Sequence, residues 1–100
     1  MLRFLFLAFT LAAPCLTPAL AADPNLARNL AATCASCHGP EGVSKHDKMV
    51  SLAGISESKI LRQFKRFRDG TQHATVMHQI SKGYTDAQIE MIAKWYAIQK

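Results

Sequence analysis

From Asp23 onward, apolar positions recur three and four residues apart, which is the period of an amphipathic helix. Asp23-Pro24 reads as a cap followed by a first-turn proline, and Leu26, Ala27, Leu30 and Ala31 then share one face. This predicts a helix from about Pro24 into a pair of cysteines. A second helix is expected from near Ser56, with Ile60, Phe64 and Phe67 on one face and Lys59, Arg62 and Arg66 on another, stopped by Asp69-Gly70. Met77 to Lys82 predicts a short helix ended by Gly83. Thr85 and Gln88 fit a capping box for a last helix whose stripe, Ile89, Ile92, Ala93 and Tyr96, continues to the C-terminus. Gly39 to Gly54 follows neither period, Thr71 to Val76 reads as extended loop, and no stretch alternates with period two. The pattern is that of a small all-α domain with long loops.

Residues 1–22 are of another kind. MLRFLFLAFTLAAPCLTPALAA begins with one cation, Arg3, runs apolar from Phe4 to Ala13 and ends in small residues, the layout of a secretory signal peptide. Ala19-Leu20-Ala21 fits an A-x-A cleavage site, so 1–21 is expected to be removed (boundary 21 or 22) and 22–100 to form a single domain. Pro14 and Pro18 interrupt the apolar run before it reaches the length of about 20 residues needed to span a membrane. Cys15 would leave with this segment. Export places the remaining cysteines outside the cytoplasm, in the periplasm of a bacterium.

Two consequences follow from size and charge. A domain this small buries too little apolar surface to be comfortably stable without a staple, so something besides side chains is expected in the core. The formal charge of the full sequence is +5, which favours acidic partners without specifying nucleic acid. Lys59, Arg62, Lys65, Arg66 and Arg68 cluster on and after one helix face, and Lys59, Arg62, Lys65 and Arg66 could steer an acidic partner; a solvated helix face explains them equally well.

The chemistry concentrates in Cys34-Ala35-Ser36-Cys37-His38-Gly39-Pro40. A redox-active disulfide would sit beside a βαβ pattern, which is absent. Zinc needs about four ligands at suitable spacing, and after Cys34, Cys37 and His38 only His46, His73 and His78 are scattered along the chain. The pattern C-x-x-C-H accounts for all three residues together as a c-type haem attachment signal. Cys34 and Cys37 would add to the two porphyrin vinyl groups, and His38 would be the proximal iron ligand. The apolar macrocycle would also complete the interior, against Leu30, Leu52, Ile60, Phe64, Ile92 and Tyr96.

A second axial ligand would favour electron transfer, whereas an open site would favour gas binding or oxygen chemistry. Met91 reads as ordinary packing, and Met49 lies too close in sequence to His38 to cross to the far face. Met77, in the loop region between the second and last helices, can wrap that face; His78 is its rival. A thioether ligand stabilises ferrous iron, whereas a second histidine would lower the potential.

These residues carry a resemblance to the class I cytochromes c that covers nearly all of 22–100. It rests on the helix leading into CASCHG, the turn LAG at Leu52 to Gly54, the helix ILRQFKRFRDG, the loop ATVMHQISKGYTD and the closing helix AQIEMIAKWYAIQK. In detail the chain is most similar to the cytochrome subunit of flavocytochrome c sulfide dehydrogenases. The resemblance implies N- and C-terminal helices packed around one covalent haem c, attachment at Cys34 and Cys37, His38 as proximal ligand and Met77 as axial methionine. It further implies a flavoprotein that oxidises sulfide as electron donor. Two departures stand out. Many members carry two such domains where this sequence has one motif, and relatives tend to have proline where Val50 stands, which leaves the acceptor for His38 open.

The function expected is a non-catalytic electron carrier or the cytochrome subunit of a sulfide-oxidising oxidoreductase. Alternatives are a free shuttle between other respiratory or photosynthetic partners, a peroxidase-like enzyme using His73 and His78 at an open site, or a binding module without cofactor.

Overall fold

The structure, a computed structural model, describes residues 23–100; the expected signal peptide, with Cys15, lies outside the described residues. Among the described residues five helices follow in order: α1 Leu26–Ala32, α2 Ala35–His38, α3 Glu57–Asp69, α4 Met77–Ile80 and α5 Asp86–Ala97, with 3₁₀ turns at Pro40–Gly42 and Ser81–Gly83. No strand occurs among the described residues, so the fold is the all-α one expected.

The first expected helix is corrected at its start and refined at its end. It begins at Leu26 because Asp23 does not cap it directly: the Asp23 carboxylate accepts from the Asn25 N–H at 2.8 Å, forming a turn ahead of the helix. At Thr33 and Cys34 the helical backbone continues but the hydrogen bonding tightens, the Cys34 N–H reaching the Ala31 carbonyl at 3.0 Å and the Thr33 hydroxyl the Leu30 carbonyl at 3.1 Å, before the single turn α2. The expected Met77–Lys82 helix is α4 followed by a 3₁₀ turn, and α5 ends at Ala97 short of the C-terminus.

Helix α5 organises the rest. The Thr85 hydroxyl accepts from the Gln88 N–H at 3.2 Å while the Gln88 amide oxygen accepts from the Thr85 N–H at 2.9 Å, so the capping box is complete. Ile89, Ile92, Ala93 and Tyr96 then project from one face at helical spacing and are all buried. Helices α1 and α3 both pack on this helix. Ala31 and Ala93 are fully buried, and two such small side chains let α1 and α5 approach closely. Ile60 and Phe64 bring α3 against the same core. The Tyr96 hydroxyl donates to the Ala31 carbonyl at 2.7 Å, tying the last helix to the end of the first. Burial holds that phenol well above its ordinary ionisation range, reinforced by the Cys34 thiol beside it.

Candidate haem site

The long loop after α2 is held shut by its own backbone. Gly42 accepts from the N–H groups of Leu52 at 2.7 Å and Ala53 at 3.2 Å, and the Ser51 hydroxyl accepts from the Ser44 N–H at 2.9 Å. Two glycines are required for this path. Gly39 has φ 87°, and a Cβ there would stand 1.9 Å from the Val43 carbonyl oxygen. Gly42 has φ 81°, and a Cβ would meet the Tyr96 ring at 2.7 Å.

The closed loop delivers the Val50 carbonyl to His38. The two are 2.7 Å apart at Nδ1, and since a carbonyl only accepts, Nδ1 carries the proton and Nε2 is left with its lone pair. The ring is 8% exposed, so its orientation is fixed by packing as well as by this bond. The acceptor left open by Val50 is therefore Val50 itself, through a backbone group that any residue possesses. Such a partner sets both ring orientation and ligand basicity.

Helix α2 aligns the three motif residues. Cys34, Cys37 and His38 stand at i, i+3 and i+4 on one helical turn, with the His38 N–H bonded to the Cys34 carbonyl at 2.9 Å. All three line one apolar cavity of about 780 Å³. The Cys34 thiol is half-buried and Cys37 exposed, both free; burial pushes the Cys34 thiol up, partly offset by the Thr33 and Tyr96 side chains. Among the described residues no three His, Cys, Asp or Glu side chains are grouped to hold a single ion.

The remaining wall comes from distant parts of the chain. Leu52, Ile55, Ile60, Phe64, Phe67, Ile92 and Tyr96 supply apolar surface, and Met77 enters from the start of α4. Of the apolar residues expected around a macrocycle, Leu30 is absent from this wall and packs instead against the core. Met49 does line the cavity, as part of the Lys48–Val50 segment that meets His38. His73 also lines it, whereas Met91, His46 and the rival His78 do not; the His78 Nδ1 is buried with no hydrogen-bond partner among the described residues.

Arg68 corrects the sequence reading of the basic cluster. It is directed inward: Nε donates to the Ser81 carbonyl at 2.8 Å, one terminal nitrogen bonds the Tyr84 carbonyl and the other pairs with Asp86. Its position in the last turn of α3, next to the left-handed Gly70 cap, lets the guanidinium reach the following loop. Lys59, Arg62, Lys65 and Arg66 are exposed, Lys65 being paired with Asp69 at 2.9 Å.

An apolar cavity of this size, walled by two thiols, an imidazole with Nε2 available and a thioether, fits a covalently held haem with iron and is the site of a c-type haem protein. The comparisons give the family. A thiosulfate dehydrogenase electron acceptor of Thiomonas intermedia is 35% identical over an alignment covering 66% of this chain and 32% of that protein. A cytochrome subunit of sulfide dehydrogenase of Chlorobaculum tepidum is 36% identical, covering 67% of this chain and 60% of the relative. Cytochrome c4 of Pseudomonas aeruginosa is 32% identical, covering 80% and 40%. No protein-family model matches the chain. The chain belongs to the class I cytochromes c and takes a covalent c-type haem. It spans between about a third and three fifths of the length of these curated relatives. No helix among the described residues is long and apolar enough to cross a membrane.

Proposed function

We propose that residues 22–100 form a one-haem electron carrier of the periplasm, exported by a signal peptide at 1–21, in which Cys34 and Cys37 are the thioether attachment points and His38 and Met77 the axial ligands. The observation that carries the reading is the single apolar cavity, which gathers Cys34, Cys37, His38 and Met77 from two distant parts of the chain. Haem c supplies a one-electron ferric/ferrous couple. The protein's part is to hold that couple fixed. His38 presents Nε2 because Nδ1–H is committed to Val50, Met77 offers a soft sulfur, and the apolar wall keeps water from the centre. His38 and Met77 would both hold the iron in this reading, leaving it no open position for a substrate, and that is the point on which it differs from a peroxidase-like one.

We infer further that the donor is a dehydrogenase oxidising a reduced sulfur compound, through a flavoprotein subunit as in the sulfide-oxidising enzymes. This is supported by the names of two relatives, an electron acceptor of thiosulfate dehydrogenase and a cytochrome subunit of sulfide dehydrogenase. The cavity rim offers a docking edge, since Met49, Val50, Val76 and Ile80 are exposed there. Lys59 lines the cavity, and the exposed Arg62 and Arg66 follow it at helical spacing on α3, a positive charge that can attract an acidic surface. Purification from the native host tests the partner. Co-elution of a flavin-containing chain that reduces the cytochrome on addition of sulfide is the expected result. A cytochrome that elutes alone and is reduced by some other donor would favour a free shuttle.

A further inference from the structure

The segment that brings Met77 to the cavity has little to hold it in place by itself. Helix α4 is a single turn, too short to be stable alone, and its flanking Val76 and Ile80 are exposed. What fixes it is a chain of hydrogen bonds that begins at Arg68. Nε donates to the carbonyl of Ser81, which is fully buried. The Ser81 N–H in turn donates to the Met77 carbonyl, and the Ser81 hydroxyl donates to the His78 carbonyl at 3.2 Å. The same guanidinium binds the Tyr84 carbonyl, while the Tyr84 hydroxyl meets Thr33 Oγ1 at 2.7 Å, beside Cys34 on the other side of the strap. Charged donors to backbone carbonyls are among the stronger hydrogen bonds, and the planar fork of arginine can serve several acceptors in fixed directions where lysine cannot.

We propose that Arg68, acting through Ser81, is the positioning residue that holds Met77 at the cavity and so sets how readily the sixth coordination position opens. This rests on the assignment of Met77 as axial ligand. A thioether binds iron weakly, so the fraction of time it is displaced depends on the free energy of opening the 77–84 strap. Arg68 does not line the cavity; it reaches the strap through the carbonyls of Ser81 and Tyr84, and its other terminal nitrogen pairs with Asp86 at the start of α5.

The test uses haem-loaded Arg68→Met, which keeps an unbranched apolar stem and removes the donors. Cyanide binding to the oxidised protein, whose rate reports displacement of the axial sulfur, is expected to quicken by about ten- to hundredfold, the worth of charge-assisted bonds of this kind. Leu30→Ala, a truncation on α1 against the core and away from both the cavity and Arg68, serves as the comparison: it lowers global stability, and a merely structural Arg68 would follow it, with cyanide rates near the parent's. If Arg68→Met does not mature, Arg68→Lys is used, which keeps the charge but has one donor nitrogen, and an intermediate acceleration is expected. A parent protein lacking the sulfur-to-iron charge-transfer band overturns the Met77 assignment and this proposal with it. A parent that has the band, with cyanide rates unchanged in the Arg68 variants, overturns this proposal alone.

Discussion

His38 donates its Nδ1–H to the Val50 carbonyl, so the orientation that leaves Nε2 free for a metal depends on a bond that no side-chain substitution at position 50 removes. Replacing Val50 by alanine should therefore leave the absorption spectrum of the reduced protein unchanged. Met77 and His78 are distinguished at the same scale, because only Met77 lines the cavity. Met77→Ala is expected to abolish the sulfur-to-iron band of the oxidised protein and to lower its potential, while His78→Ala keeps the band; the reverse pattern would move the ligand to His78. Tyr96 carries a pH dependence. Its folded-state pKa is raised, by burial first and then by Cys34, from an ordinary value of 10.0. The neutral phenol is thus the form that stabilises the fold, in full below pH 10 and progressively less as pH rises above it. Denaturant titrations at pH 9 and pH 11 should show a loss of stability that Tyr96→Phe reduces, while the same variant costs about 1 kcal/mol at neutral pH through the lost bond to Ala31. The three motif residues were legible in the sequence because their spacing is a chemical requirement. The Val50 acceptor and the Tyr96–Ala31 bond were not, since one is a backbone atom and the other joins residues far apart in the chain.

Among elements, α5 was the most legible, because its stripe and its capping box are both local patterns, and the structure contains both. Thr85→Ala should cost about 1 kcal/mol and Ile92→Ala about 2–5 kcal/mol, read by chemical denaturation of the haem-loaded protein. The junction between α1 and α2 was legible only in part. Leu30, Ala31 and the cysteines are compatible with one continuous helix, and the backbone stays helical through Thr33 and Cys34; what the pattern does not show is the Thr33 hydroxyl bonding to Leu30 and Tyr84 at the junction. Arg68 misled for a related reason. Its place in a run of cations suggests a solvated face, but the acceptors it serves lie in a loop whose path the sequence does not reveal. The turn at Gly39 was legible as irregular but not as indispensable. Gly39→Ala must relieve both a positive φ and a contact of 1.9 Å with Val43, so the yield of haem-bearing protein should fall severalfold against the parent under identical expression, read by absorbance.

At the scale of the whole molecule, a small helical core leaves a cavity of about 780 Å³ that its own side chains do not fill. The size argument from sequence anticipated this, since so short a chain lacks apolar surface of its own. Of the cations on α3, Arg68 is bound to the following loop and Lys59, Arg62, Lys65 and Arg66 remain exposed, able either to steer a partner or to form a solvated face. Replacing Arg62 and Arg66 by glutamine should slow reduction by the native donor several-fold at low ionic strength and leave it nearly unchanged above about 0.5 M salt, where charges are screened within a few ångströms. Equal rates at low salt would assign these residues to a solvated face.

The central claim is that sulfurs 34 and 37 carry the pigment. Mass spectrometry of the tryptic peptide Asn29–Lys45 from protein matured with its attachment machinery tests it most directly. The account predicts that peptide with one haem bound through both cysteines, and recovery of the same peptide unmodified, from protein that is otherwise folded, would contradict it.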